Sequence, residues 1–252
     1  MKLIWTYDDK MDKGESNSRN RIILINYYIQ SILRAKQFGY ETVIYCNSNL
    51  EQYFKDIVDE IIIVESYEDS IVWDYMKVKV MEDRDDEFCL IDGDIILHDK
   101  LPEFKTDIAF DTYETANWVD EYSETTKQLE DIGIKDTIEY WNSTRKPVIS
   151  TGIFYLAPQF RQDYVSEFKR CNNFINEKKD ANTFHKDFIS LVGGQYLLTL
   201  FVNDRGLSKS NFTNNMGEMG QYYRHHFGKS KFENPLVSAT EIYNPLEVKD
   251  II

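Results

Sequence analysis

Apolar residues fall along this chain in two rhythms that alternate. Lys2–Tyr7 is a short apolar and aromatic run, followed by the polar stretch DDKMDKGESNSRN, and it predicts a first strand and then a loop. From Arg21 to Phe38 the residues Ile22, Ile25, Ile29, Ile32 and Leu33 recur at helical spacing, and Gly39 stands where a helix-ending glycine belongs. ETVIYCN (41–47) predicts a second strand, NLEQYFKDIV (49–58) a short helix, EIIIVES (60–66) a third strand, 71–83 a helix and Phe88–Ile91 a fourth strand. Strands that are apolar throughout are buried on both faces. Alternating with helices, they indicate a parallel sheet covered on both sides. In such sheets ligands bind beyond the carboxyl ends of the strands, where Asp8, Asn47, Ser66 and Asp92 fall.

Beyond Leu97 the pattern loosens. DIAFDT (107–112) predicts a strand, and 113–145 is polar and aromatic with no clean period. KPVISTGIFYLA (146–157) predicts one strand. Pro158 suits a helix start, and Gln159–Lys178 follows as a helix. His185–Arg205 predicts a last helix, interrupted by Gly193 and Gly194. No repeat or linker divides the chain, so a single domain over 1–252 is the economical expectation.

Composition narrows the function. The 252 residues suffice for a sizeable core, and 42% hydrophobic with 14% aromatic residues excludes a disordered chain. A formal charge of −14 repels nucleic acid and anionic membranes. It still allows one anionic small molecule, if a cation or a few lysines neutralise it. Cys46, Cys89 and Cys171 lie far apart with no CxxC spacing, which predicts buried reduced thiols and a reducing compartment. MKLIWTY has no apolar signal region, and no run reaches the ~18 apolar residues of a membrane helix. A soluble, cytoplasmic protein is expected, and the sequons at Asn142 and Asn211 carry no weight without secretion.

The stretch FCLIDGDIIL (88–97) has two readings. Asp-Gly between apolar runs is a strong hairpin signal. Yet the flanks do not alternate, and the preceding strands call for a fourth parallel strand. In the second reading Asp92 and Asp94 point to the same side of an extended segment. Gly93 lets the backbone bend and approach a ligand closely. Two carboxylates this close repel unless a divalent cation joins them, and oxygen ligands suit Mn2+ or Mg2+. Such a cation keeps positions open for a diphosphate. Near the other end, HHFGKSK places His225, Gly228 and Lys231 at the spacing H-x-x-G-x-x-K. The imidazole can complete a metal shell, the glycine admits phosphate, and the lysine supplies charge for it. Alone, these are as well read as exposed histidines beside basic residues.

Together the two motifs resemble the GT-A-fold glycosyltransferases, specifically the retaining family-8 group that includes glycogenin and bacterial galactosyltransferases. Weaker matches run in order from residue 2 to about 231. WTYDD resembles the family's first-strand exit. That implies Thr6, Tyr7 and Asp8 at the nucleotide, with Asp8 accepting from uracil N3–H. YMKVK (75–79) resembles the helix before the metal motif, whose basic residue, here Lys77, reaches the donor. ISTGIFYLA resembles the Asn-Ala-Gly strand beside the donor sugar, with Ser150 and Thr151 in place of Asn and Ala and with Gly152 kept. GGQYLL resembles an Asp-Gln helix start, with Gln195 matched and Gly194 in place of the aspartate.

The resemblance implies an α/β GT-A (nucleotide-diphospho-sugar transferase) fold, with a mainly parallel central sheet flanked by helices. Residues 1–97 would be its nucleotide-binding half and 98–252 its donor-sugar and acceptor half. It implies Mn2+ or Mg2+ held by Asp92, Asp94 and His225, with Gly93, Gly228 and Lys231 near the diphosphate. Gln195 would be a polar contact near the sugar. Asp111 is read either as a contact to sugar hydroxyls or as a turn cap. The implied activity is transfer from a UDP-sugar to a hydroxyl of a glycan, lipid-linked or protein acceptor, with retention. Two other classes stay open. A sugar nucleotidyltransferase needs a glycine- and basic-rich first loop, and this one holds one glycine. A non-catalytic member would bind a sugar nucleotide or a protein partner. Trp73 is expected in the core, Trp118 or Trp141 against an acceptor sugar, and His185 at the surface.

Overall fold

In the computed structural model, which describes residues 1–9, 18–65, 74–114, 119–145, 147–178, 191–213 and 222–226, the chain is a mixed α/β protein built on mainly parallel strands. It divides into two compact units. The first comprises residues 1–66, 88–103 and 217–252, and the second 67–87 and 104–216.

In the first unit β1 (Lys2–Tyr7), β2 (Glu41–Cys46), β3 (Glu60–Ile63) and β4 (Phe88–Ile91) lie parallel in the order β4-β1-β2-β3. Leu3, Ile4 and Trp5 are all fully buried, as are Val43, Ile44 and Cys46. Consecutive buried residues require cover on both faces, as the unbroken apolar runs predicted. Helix α1 (Ser18–Gln37) buries Ile25, Ile32 and Ala35 completely. It ends at Gly39, whose φ of 78° and N–H bond to Lys36 O form the expected left-handed stop. The predicted helix at 49–58 is shorter, a 3-10 turn at Ser48–Leu50 leading into α2 (Glu51–Phe54).

The hairpin reading of 88–97 does not hold. β5 (Ile95–Leu97) pairs antiparallel with β11 (Tyr223–His225) and not with β4. Side chains of α1 fix β5 in place. Trp5 Nε1 donates to Ser31 Oγ at 2.9 Å, Ser31 Oγ to Ile95 O at 2.5 Å, and Arg34 Nε to Leu97 O at 3.0 Å.

The second unit contains α3 (Tyr75–Asp83), β6 (Ile108–Phe110), β7 (Tyr113–Glu114), α4 (Val119–Asp131), β8 (Val148–Ile149), β9 (Ile153–Leu156), α5 (Pro158–Lys178), α6 (Leu197–Asp204) and β10 (Lys209–Asn211). β6 is flanked by β10, parallel, and β9, antiparallel, while β7 pairs antiparallel with β8. Helix α5 begins at Pro158 and buries Arg161, Tyr164, Val165, Phe168, Cys171 and Ile175, one stripe at helical spacing.

Three expectations change here. The strand predicted at 146–157 breaks at 150–152 into β8 and β9. The stretch without a period holds α4, whose buried face includes Tyr122, Thr125, Thr126 and Leu129. Threonines fill two of its buried positions, so no apolar period marks the helix. Trp141 is 2% exposed and donates its Nε1–H to Thr126 O at 3.2 Å, so it is a core residue and no acceptor platform. Gly193 and Gly194 interrupt the last α-helix, as expected. They lie in a π-helical turn, Val192–Tyr196, that runs directly into α6. Trp73, Trp118 and His185 lie outside the described residues. All three cysteines are buried and outside any disulfide, and burial pushes Cys46 and Cys171 up to about 12. Among the described residues no helix is long and apolar enough to cross a membrane.

Ser31 is fully buried and serves two buried partners at once. Ser31→Ala strands the Trp5 indole N–H and the Ile95 carbonyl. A loss of about 2–3 kcal/mol relative to the wild-type chain is expected in urea unfolding. An unchanged midpoint would show that the hydroxyl does not carry these two bonds.

Candidate functional site

Strand β4 delivers Asp92 at its carboxyl end, and the chain then turns at once, with Ile95 N–H donating to Asp92 O at 3.2 Å. Asp92 and Asp94 are therefore brought together by a tight turn, not by the shared face of an extended segment. The β5–β11 register sets His225 opposite Ile95, and His226 N–H donates to Asp94 O at 3.0 Å. One potential ligand atom from each of Asp92, Asp94 and His225 lies within 4.8 Å of the other two, and His225 Nε2 is 3.3 Å from Asp94 Oδ1. Around a six-coordinate cation with bonds of ~2.1 Å, adjacent ligands stand about 3 Å apart and opposite ones about 4.2 Å. The trio fits one such ion after small adjustments. His225 is buried and both aspartates are half-buried.

Gly93, between the carboxylates, is set by space. A β-carbon there would lie 2.2 Å from the Tyr28 ring. Its φ is outside the left-handed region, so backbone freedom is not what the position requires. Tyr28 donates to Thr6 O at 2.8 Å and stacks on Tyr7 with centroids 4.5 Å apart. Thr6 and Tyr7, at the end of β1, thus support the ring that covers Gly93. Asp8 follows, half-buried. Beside it Asn47 ties the strand ends, accepting from Asp9 N–H at 2.7 Å and donating to Val64 O at 2.9 Å.

The second unit holds a buried polar cluster. Lys77 on α3 is 7% exposed. Its ammonium donates to Thr151 O at 3.0 Å and Thr151 Oγ1 at 3.2 Å, and lies 3.4 Å from Asp74 Oδ1. A buried ammonium without such partners would be strongly destabilising. Gln195, in the π-helical turn, donates Nε2–H to Thr151 Oγ1 at 3.3 Å and accepts from Tyr122 OH at 3.0 Å. Burial first, then hydrogen bonding and charge from Glu114 and the charge of Asp74, hold the Tyr122 phenol far above its ordinary range, so it stays protonated. Ser150 Oγ donates to the buried Asp111 at 3.4 Å, and Ser150 N–H to Thr112 O at 2.9 Å. The break between β8 and β9 at 150–152 is what turns Ser150 and Thr151 to these partners.

Asp74 occupies the N-cap position of α3 yet makes no side-chain cap bond, forgoing about 1 kcal/mol of ordinary helix-end stabilisation. It is 6% exposed. Asp74, Glu114 and Tyr122 were not found from the sequence. The one available signal was the three-residue spacing of Asp74 and Lys77. The structure groups Asp92, Gly93, Asp94 and His225 in one unit, and Lys77, Ser150, Thr151 and Gln195 with Asp111 in the other. Gly228 and Lys231 lie outside the described residues.

No protein-family model and no curated protein matches the chain. Solved glycosyltransferase structures of the GT-A fold do. The chain is similar to the galactosyltransferase LgtC in complex with donor and acceptor sugar analogues, at 13% identity and a TM-score of 0.44, over 77% of this chain and 70% of that one. It is also similar to mouse xyloside xylosyltransferase 1 in its apo form, at 11% identity and a TM-score of 0.44, over 83% of this chain and 84% of that one. Likeness at this level adds no argument about the chemistry of this chain.

Gly93→Ala forces the Tyr28 ring aside, and the ring root has little freedom to yield. A stability loss of about 1–3 kcal/mol is expected in denaturant unfolding. An unchanged midpoint would show that the ring moves freely.

Proposed function

We propose that the protein is a metal-dependent glycosyltransferase that moves a sugar from a UDP-sugar to a hydroxyl acceptor. The observation that carries this is the convergence of Asp92 and Asp94 with His225, far apart in the sequence, within 4.8 Å. Two carboxylates and an imidazole suit Mn2+, and Mg2+ less well because of its preference for oxygen. A cation held there would neutralise the donor diphosphate and the charge growing on the leaving nucleoside diphosphate. With three protein ligands, coordination positions remain for phosphate oxygens.

The remaining roles follow the motifs. Asp8 accepts from the uracil N3–H, with Thr6 and Tyr7 beside it. Gly228 and Lys231 serve the phosphates. Lys77 already has three partners, Asp74 and the two oxygens of Thr151, which favours a supporting role for it over a direct phosphate contact. Thr151, Gln195, Ser150, Gly152 and Asp111 are assigned to the donor sugar. Gln195 is a neutral amide and no nucleophile, which agrees with a retaining route that needs none. In that route the acceptor oxygen bonds to the anomeric carbon on the face from which the phosphate oxygen departs. The hydroxyl proton passes to that phosphate. The acceptor is a glycan, lipid-linked or protein hydroxyl, and the cytoplasm is the assigned compartment.

Calorimetry with UDP and Mn2+ tests the assignment. Asp92→Asn and Asp94→Asn are each expected to weaken metal-dependent UDP binding at least about tenfold, since loss of even an outer-shell partner of a metal ligand costs that much. If both variants bind UDP as the wild type does, the metal centre is wrongly assigned. Slow Mn2+-dependent hydrolysis of a UDP-sugar separates an active transferase from a binding protein. NMR of the new anomeric bond decides retention.

A further inference from the structure

Strand β11 carries a charge on the face turned away from the metal ligands. His225 is buried and Arg224 exposed, and neighbours along a strand point to opposite faces. The turn after β5 brings His98 to the same ribbon, because its N–H and that of Asp99 both donate to Tyr222 O, at 2.7 and 3.1 Å. From α1, Arg34 reaches the end of β5 through its bond to Leu97 O at 3.0 Å. The three groups are close enough to feel one another. Partial burial first, then the charges of Arg34 and Arg224, hold the His98 imidazole below its ordinary range. We infer that Arg34, His98 and Arg224 form an anion site, separate from the metal centre, that takes the phosphate of a small phosphomonoester. The inference does not depend on the transfer reading above.

Two features single the cluster out. The first is its charge. The chain has 43 acidic residues against 29 Lys and Arg, and in the same unit Lys2, Arg21 and Lys36 each meet a carboxylate. Among the described residues neither Arg34 nor Arg224 forms an ion pair. Asp99, the nearest carboxylate in sequence, accepts the Lys100 N–H at Oδ1, 2.7 Å away. The second feature is preorganisation. Arg34 is held by Leu97 O, by Gln37 Oε1 at 2.7 Å and by the Phe38 ring 5.4 Å from its guanidinium carbon. Its Nη2 makes no hydrogen bond among the described residues.

The chemistry of these donors selects the ligand. Guanidinium groups donate in pairs and match phosphate oxygens, and an imidazole adds one N–H. A phosphomonoester carries nearly two negative charges and three terminal oxygens, one for each group. A carboxylate offers one charge and two oxygens. An anionic bilayer would face the whole surface of a chain of formal charge −14 and be repelled, while a small ion meets the cluster alone.

The test is NMR of the histidine rings in metal-free protein with a chelator at neutral pH, so that no cation at Asp92 and Asp94 captures the probe. The His98 signal is assigned by its loss in His98→Gln. Inorganic phosphate and glycerol 1-phosphate are each expected to shift it with saturation at about millimolar concentration, and sodium chloride of equal ionic strength is not. Arg224→Gln is expected to weaken both phosphates about fivefold, with Arg224→Lys between it and the wild type. Lys55→Gln removes the same charge from another exposed position and is expected to leave binding unchanged. The inference is overturned if chloride shifts the ring as phosphate does, or if Lys55→Gln weakens binding as much as Arg224→Gln. It is overturned equally if only vesicles containing phosphatidic acid bind, since the surface would then be a membrane contact.

Discussion

One stripe of α1 carries the candidate metal centre. Tyr28, Ser31 and Arg34 are three residues apart, so they line a single side of the helix. Each donates to a backbone carbonyl: Thr6 at the end of β1, Ile95 at the start of β5, and Leu97 at its end. Strand β4 is held by the parallel sheet, whereas β5 is outside that sheet and paired with β11. The turn that presents Asp92 and Asp94 therefore joins a strand fixed by its neighbours to a strand fixed by a helix face. Both ends are anchored, which gives two adjacent carboxylates a defined spacing. The third ligand follows from register. His225 is buried and Arg224 exposed along β11. A slip of one residue against β5 would exchange them.

The two units treat buried carboxylates differently. In the second, Asp74 faces Lys77 inside the protein, and Lys77 in turn is bonded to Thr151. In the first, the group that closes on the aspartate pair is a histidine. A neutral imidazole does not offset two negative charges, while a divalent cation does, and it would be held by all three groups at once. The surrounding chain strengthens that pull, because a protein of formal charge −14 attracts cations to any cleft that concentrates its carboxylates.

The parts legible in the sequence are those where one residue type reports one environment. The strands β1 to β4 and the helix α1 show as unbroken apolar runs and as a helical period, since burial on two faces or on one stripe selects apolar letters directly. The proximity of Asp92, Asp94 and His225 was implied by the family resemblance that Asp-x-Asp and H-x-x-G-x-x-K carry together, and neither spacing indicates it alone. The turn at 92–95 was half legible: Asp-Gly does mark a turn, but the partner of β5 is β11, far away in the chain. Helix α4 was hidden because Thr125 and Thr126 occupy its buried side. The break at Ser150–Gly152 was hidden because small polar residues between apolar runs look like a variation within one strand. The saturation of Lys77 was hidden because its partner Thr151 is distant in sequence.

Glycines show the same limit most sharply. At Gly39 the residue is required by its own backbone, with φ at 78°, and its neighbours in sequence already suggest a helix end. Gly93 and Gly194 have no such requirement. Each is glycine because a side chain from a different element occupies the space, Tyr28 at the first and Asp74 at the second. Most turns of the 92–95 kind accept a β-carbon in their middle positions. The motif Asp-Gly-Asp is therefore not explained by the turn it forms. Its middle residue is dictated by an aromatic ring on α1, the same stripe that holds β5, so the covering of this turn and its anchoring are one packing solution. By the same logic Gly194, in the π-helical turn before α6, is dictated by a carboxylate at the start of α3. In both places the absent side chain is the sequence's trace of a contact made from far along the chain.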